Sequence, residues 1–459
     1  MNKIKLAIIL FAFTHTTYGQ ESFNLQEAID YALVNSNEMK MAQLDIEDAE
    51  AQITEFKAIG MPQLDAGINY QYYMAVPVNP VQDFITPSVY DVLEDEQLVP
   101  LESFEGPPEV FEFSFFQKNN LTANLNASWL LFDGSYLTGL RGARMFRDLN
   151  KKAVDVKAEK VRSNVTKAYM NILIAEENKK TLEKNIANIN KSLNEAEAFY
   201  ENGFLEKLDV DRILLSLENV STEKEKIDQI IDISYNLLKF QMSYPLENEI
   251  SITEDLETLV NLLKIENADL EETIDFNKRA EFAQIEMGED LNELNIERLK
   301  KGYLPNLRAR ANVNESLQRN NLFDGDEIGF IPQASVSLGL NIPIFDGNQK
   351  KGQIQQAKIE QERIGIQKSE FQRAVSLQVA NARMQYINAK KTLSNRERAL
   401  NIVEDIYKTT QIKFKEGVGS SLEVTQAESQ LFSAQANYIS ALYDLLITKT
   451  DLDIALGNI

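Results

Sequence analysis

The chain has 459 residues, with 70 acidic and 47 basic side chains, one histidine and no cysteine, for a formal net charge of −23. Lack of cysteine excludes disulfides and thiolate metal sites. The acidity argues against nucleic acid as a partner, because phosphate binding needs clustered Lys and Arg.

Lys3 and Lys5 precede the apolar run Leu6 to Phe13, and a short polar stretch ends at Thr17-Tyr18-Gly19. This pattern predicts a secretory signal peptide over residues 1–19, with mature protein from Gln20. The apolar run falls well short of the about 20 residues that span a bilayer as a helix. No Cys follows the cleavage site, which excludes a lipid anchor. Cleavage also removes His15, the only histidine. An enzyme would then be confined to carboxylate or Ser/Lys chemistry, and no convergent carboxylate pair stands out. The reading is therefore non-enzymatic, with no metal and no cofactor. No later segment reads as a transmembrane helix, so a membrane location requires a β-barrel.

Four segments alternate with the period of a strand. Leu64, Ala66, Ile68, Tyr70 and Tyr72 interleave with Asp65, Gly67, Asn69 and Gln71. Leu121 to Leu131 does the same, with Asn124, Asn126 and Ser128 on the polar positions. Leu307, Ala309, Ala311 and Val313 interleave with Arg308, Arg310 and Asn312, and Ala334 to Ile342 with Ser335, Ser337 and Asn341. The predicted strands are 63–73, 120–131, 305–315 and 333–343, each the length of a tilted membrane strand with one lipid face and one wet face. Arg308 and Arg310 are then candidates for the barrel lumen. Tyr70, Tyr72, Tyr73 and Trp129 fit the aromatic girdle at a membrane interface. Residues 74–118 are predicted to be a long extracellular loop, acidic through Asp91, Glu94, Asp95, Glu96, Glu102, Glu105, Glu109 and Glu112. The alternation Phe111, Phe113, Phe115 makes a further strand plausible there.

All eleven prolines lie within 62–108, at Pro245, or within 305–343. Proline interrupts helices, so the proline-free stretches are open to very long ones, of roughly 100 Å each at 1.5 Å per residue. Helical hairpins are predicted over 135–240 and 347–456. Val375, Val379, Ala382, Tyr386, Ala389, Leu393, Leu400, Val403, Tyr407 and Phe414 follow alternating steps of four and three, broken only by Arg396 and Thr410. Leu182, Ile186, Ile189, Leu193, Ala196 and Tyr200 repeat the pattern. Both read as coiled-coil seams.

The same order occurs twice. Met61-Pro62-Gln63-Leu64 matches Leu304-Pro305-Asn306-Leu307. Phe132-Asp133-Gly134 matches Phe345-Asp346-Gly347, and Gly203 with Leu208-Asp209-Val210 matches Gly417 with Leu422-Glu423-Val424. The first repeat takes residues 20–245 and the second 271–459, joined by a linker over 246–270. Gly203 and Gly417 mark the two hairpin turns. Four strands cannot close a barrel, since the smallest membrane barrels have about eight, and lipid tolerates no open edge. Oligomerisation follows, and three copies would give twelve strands.

Together with the opening Phe23-Asn24-Leu25-Gln26-Glu27-Ala28-Ile29, these duplicated motifs resemble the TolC family of outer-membrane efflux proteins along essentially the whole mature chain. The resemblance implies a fold of mixed α and transmembrane β. In it a homotrimer builds a 12-stranded barrel in outer-membrane lipid and a coiled-coil tunnel through the periplasm of a Gram-negative bacterium. It further implies a periplasmic adaptor and, through it, an inner-membrane RND or ABC transporter. In the family, acidic side chains near the second turn ring the closed tip. Glu423 falls on the first such position, while Gln426 stands at the second. Phe414 and Gly419 occupy the places of a tyrosine and an arginine that form latch contacts, and Asp209 matches its counterpart on the first hairpin.

Three other readings bear on the same residues. Gly417-Val418-Gly419-Ser420-Ser421 lacks the Lys and the preceding strand of a phosphate loop, and Ser420 with Glu423 reads better as a capping box. Trimeric adhesins also contribute four strands per chain, but as one consecutive C-terminal set, unlike the two separated pairs here. Efflux of small molecules and one-step protein secretion both remain open as the use of such a channel.

Overall fold

The computed structural model of the chain describes residues 21–83, 85–98, 110–114, 116–262, 273–321, 323 and 329–458. The expected signal peptide, 1–19, lies outside these residues, as do Glu102, Glu105, Glu109 and Phe115 of the insertion. Two compact units are built from interleaved segments: one from Met1–Ala51, Arg144–Glu293 and Lys358–Ile459, the other from Gln52–Ala143 and Leu294–Ala357.

The first unit is helical. It opens on β1 (Glu21–Phe23), followed by α1 (Leu25–Asn35) and α2 (Asn37–Ala58). Asn24 and Glu27 close a capping box, the Asn24 side chain accepting from the Glu27 N–H at 2.8 Å and Glu27 from the Asn24 N–H at 2.9 Å. This satisfies two of the donors that a helix start leaves free and turns Leu25, Ala28, Ile29 and Ala32 into the core. The phenolic oxygen of Tyr169, fully buried, donates to the Phe23 carbonyl at 3.1 Å and fixes β1 in place.

Two long hairpins follow. α4 (Gly134–Glu201, 68 residues) turns into α5 (Lys207–Met242), and α8 (Gln349–Lys415, 67 residues) into α9 (Ser421–Leu456). On α8 the expected seam is the buried one: Val375, Val379, Ala382, Tyr386, Ala389, Tyr407 and Phe414 are all within the core. Arg396 is exposed. On α4, Ile189, Leu193 and Ala196 are buried but Tyr200 is exposed, because the helix closes into its turn there.

The linker expected over 246–270 carries structure of its own. β6 (Ile250–Ile252) pairs in parallel with β1, and α6 (Leu256–Leu262) follows it. Its last residues, 263–270, lie outside the described ones.

The second unit is a four-stranded antiparallel sheet with its flanking helix ends. β2 (Gln63–Tyr72), β5 (Asn119–Phe132), β7 (Asn306–Arg319) and β8 (Ile331–Asn341) lie in the order β2-β5-β7-β8, and α7 (Ala280–Lys301) leads into β7. β7 runs four residues past its expected end because Glu315 to Arg319 continue the ladder onto Ala123 to Asn119. The insertion 74–118 is more than a loop. β3 (Asn79–Gln82) pairs with β4 (Val110–Phe113), the strand anticipated from the Phe alternation, and α3 (Ile85–Asp95) stands between them. Asp83 caps α3, accepting from the Ile85 and Thr86 N–H groups at 3.0 and 2.9 Å.

Candidate functional site: a two-faced sheet and two hairpin turns

Register assigns each strand residue to a face. One set of rows across the sheet reads Gln63–Ser128–Arg310–Ser337, Asp65–Asn126–Asn312–Ser335 and Gly67–Asn124–Asn314–Gln333. The alternate rows read Leu64–Ala127–Ala311–Val336, Ala66–Leu125–Val313–Ala334 and Tyr70–Leu121–Leu317. Four separate sequence alternations thus merge into one polar face and one largely apolar face, on which Glu315, in the row Ile68–Ala123–Glu315–Pro332, is the exception. The polar face is cross-linked: Asn312 donates to Asn126 at 2.6 Å, and Asn126 to Asp65 at 3.3 Å. Gly67 leaves room for this ladder, since a Cβ there would sit 2.7 Å from the Asn124 side-chain oxygen. Arg310 stands on the polar rows. Arg308, opposite Leu130 and Gly339, shares its parity.

The apolar face is bare. Ile68 is 82% exposed and Val336 83% exposed. Trp129 lies at one end of this face, its indole N–H donating to the Gly60 carbonyl at 3.0 Å. Tyr70 and Tyr72 lie at the other, and the Tyr70 hydroxyl donates to Asn119 at 2.7 Å. Trp129 and Leu121, the partner of Tyr70, are eight residues apart, roughly 27 Å along an antiparallel strand. That matches the height of a lipid-facing band with aromatics at both rims. Among the described residues no helix is long and apolar enough to cross a membrane. The outer edges of β2 and β8 have no strand partner among the described residues.

The two hairpin turns of the helical unit are alike. Gly203 (φ +77°) and Gly417 (φ +74°) end α4 and α8 in the left-handed conformation that a Cβ disfavours. The Gly203 N–H reaches the Tyr200 carbonyl at 2.9 Å and the Phe204 N–H the Phe199 carbonyl at 2.9 Å. Gly417 and Val418 make the equivalent bonds to Phe414 and Lys413, both at 3.0 Å. Each is a Schellman turn. A Cβ at Gly419 would meet the Phe414 nitrogen at 3.0 Å, so this glycine lets the chain pass tightly over the end of α8. Ser420 caps α9 by accepting from the Glu423 N–H at 3.3 Å, and Glu423 itself is exposed.

Asp209 joins the hairpins. It accepts a short hydrogen bond from Ser421 on α9 and pairs with Arg212 at 3.7 Å. Phe414 points inward, packed with Ile189, Leu193, Ile213 and Val424. One further group escaped the sequence reading. Glu428 on α9 is completely buried. It accepts from the Tyr407 hydroxyl at 3.3 Å and from the Ser216 hydroxyl at 3.1 Å. Burial pushes its carboxyl above the usual glutamate range, and the two hydroxyls draw it part of the way back. Its signal in the sequence is a lone acid between Val424 and Leu431 on the apolar stripe.

A sheet with one lipid-compatible face, carried on a chain with paired very long helical hairpins, defines a protomer of an outer-membrane channel. The chain matches the family described as "Outer membrane efflux protein" over residues 28–239 and 277–458, and it belongs to that family. Its relatives there are channels, not enzymes. It is 20% identical to Outer membrane protein TolC of Salmonella enteritidis over 475 aligned positions, which cover 100% of this chain and 87% of the relative. Among solved structures it resembles CusC with a TM-score of 0.70 at 17% identity, over 96% of this chain and 95% of that one. It also resembles the Campylobacter jejuni CmeC outer membrane channel, with a TM-score of 0.67 at 14% identity, over 100% and 94% of the two chains.

Proposed function

We propose that three copies of this chain assemble head to tail into a channel that passes small molecules out through the outer membrane. The observation that carries this is the sheet: one largely apolar face, one polar face and, among the described residues, two unpaired edges. Placing β8 of one copy beside β2 of the next removes every edge, and three copies give twelve strands, above the eight or so that a membrane barrel needs. The polar rows, with the Asp65–Asn126–Asn312 ladder, Arg308 and Arg310, then line the lumen, and Ile68, Val336 and their neighbours meet lipid.

The helical unit supports the same assembly. Leu215, Ile233 and Phe240 on α5 are exposed in the single chain, as are Ile366, Leu377, Met384 and Ile402 on α8. Spacings of 7, 11 and 18 residues are close to whole helical turns, so each set is one stripe. Two different uncovered stripes suit a heterologous ring interface between copies. The helices then form a tunnel whose closure zone contains Asp209, Glu423, Phe414 and Gly419. Phe204 and Val418, each 77% exposed on its turn, offer matched apolar contacts to a periplasmic adaptor and, through it, to an inner-membrane pump. The family's designation as efflux proteins favours small-molecule cargo.

Native mass spectrometry in detergent and single-channel recording in a planar bilayer test the core of this reading. The expected result is a mass of three copies and discrete conductance. A monomer that conducts under no condition overturns it.

A further inference from the structure

Glu428 is buried without a cation. Among the described residues neither hydrogen bond nor ion pair links it to Lys or Arg, and its two partners are hydroxyls from different hairpins. Tyr407 belongs to α8, in the same hairpin as Glu428, and is held from behind by the Gln411 amide at 2.5 Å. Ser216 belongs to α5, in the other hairpin. Other titratable groups on the packed elements are Asp209 and Arg212 on α5, already paired to each other, and Glu218 on α5, Glu404 and Lys408 on α8 and Glu423 on α9, all exposed.

The internal repeat carries no acid at the matching position of the first hairpin. Moving back by the 214 residues that separate Gly203 from Gly417, the counterpart of Glu428 is Leu214 and that of Tyr407 is buried Leu193. Leu214 is exposed, so the first hairpin buries only Leu193 at this level, whereas the second buries an acid with a phenol. An ionised carboxylate at zero exposure with only two hydroxyl donors is costly, whereas the neutral acid keeps both contacts with one hydroxyl reversed. Water reaches the site most easily from the α5 side, because Ser216 is only half-buried while Tyr407 is buried.

We propose that Glu428 is a proton-controlled lock between the two hairpins near their turns, which holds α9 against α5 when protonated and releases it when ionised. The proposal rests on reading the turn region as the closing end of a channel. Burial holds the carboxyl above the ordinary glutamate value in the closed arrangement. Closed hairpins therefore bind the proton more tightly than parted ones. Closure is strongest in acid and is lost progressively as pH rises from the ordinary value through the raised one. Each unit of difference between the two states is worth about tenfold in the ratio of closed to open.

The absence of cysteine permits a clean test of the movement itself. Spin labels at Glu218→Cys on α5 and Gln430→Cys on α9, both exposed positions, report the hairpin separation at about pH 5 and about pH 8, spanning the range in which a raised carboxyl titrates. In the otherwise native chain the distance should lengthen or broaden at the higher pH, and open probability in a bilayer should rise about tenfold. Glu428→Gln, which cannot ionise, should keep the acid distance at both values and lose the rise in conductance. Tyr407→Phe removes a donor to the carboxylate, so the loss of closure should begin at the same pH but continue to higher pH and end lower than in the native chain, which keeps the lock testable if Glu428→Gln fails to assemble. An unchanged pH response in both variants overturns the lock. A label distance that responds through Glu428 in a protein without conductance upholds the lock and sinks the channel reading instead.

Discussion

Gly417 and Gly352 separate two roles of one residue type. Gly417 holds φ at +74° at the end of α8, whereas Gly352 lies inside α8, where an added Cβ would meet nothing within 4 Å. Gly417→Ala forces a side chain into the left-handed region and is expected to cost about 1–2 kcal/mol. Gly352→Ala relieves the entropy of a helical glycine and is expected to gain about 0.5–1 kcal/mol. Urea midpoints of the two variants, compared with the native protein, should move in opposite directions. Shifts of the same sign would show that the turn at Gly417 is not held as described. Phe414 marks a divergence at this scale. Its heptad position marks it as core, and the family resemblance places it at a latch. The structure packs it with Ile189, Leu193, Ile213 and Val424, so the apolar spacing was the better guide to its surroundings.

At the scale of the element, the two faces of the sheet make a sharp prediction. Val336 and Ser335 are neighbours on β8 but point to opposite faces, Val336 in the row with Ala311 and Ser335 in the row with Asn312. A lysine on the lipid face near mid-membrane costs about 2–4 kcal/mol, whereas one lining water costs little. Val336→Lys should therefore lower the stability of the protein refolded into phospholipid vesicles by at least about 2 kcal/mol more than Ser335→Lys, measured by urea titration. Equal losses would mean that the faces are reversed or that both are wet. Strand alternation and proline-free stretches made β2, β5, α4, α5, α8 and α9 readable from the chain alone. The end of β7 was hidden because Asn314 to Arg319 is polar on nearly every position, and only pairing with β5 makes it a strand. β6 has three residues, too few to show a period, and is a strand because β1 lies beside it. α3 is not legible in the sequence because Pro87 stands among its first residues and proline interrupts helices, although it is tolerated in a first helical turn. Glu428 needed the fold most of all: Ser216 stands 212 positions away in the chain, and nothing local brings the two together.

At the scale of the whole molecule, duplication gives each chain two strand pairs and two hairpins, and the proposed assembly follows from what one chain leaves uncovered. β2 and β8 are the outermost of four strands, so three inter-strand spacings of about 4.8 Å separate them by roughly 14 Å. A disulfide needs Cα atoms within about 7 Å. A cysteine on each of these strands therefore cannot bridge within a chain and can bridge only between copies. Gln63→Cys on β2, combined in turn with Gln333→Cys, Ser335→Cys or Ser337→Cys on β8, scans the register on the polar face. Oxidation of membrane-inserted protein should give, for at least one combination, covalent species that stop at three chains on a denaturing gel. A head-to-tail interface that does not close makes a ladder of growing length, and one that closes around a threefold axis stops at three. Products beyond three, or none for any combination, would remove the twelve-stranded barrel and, with it, the reason for these strands to end on open edges.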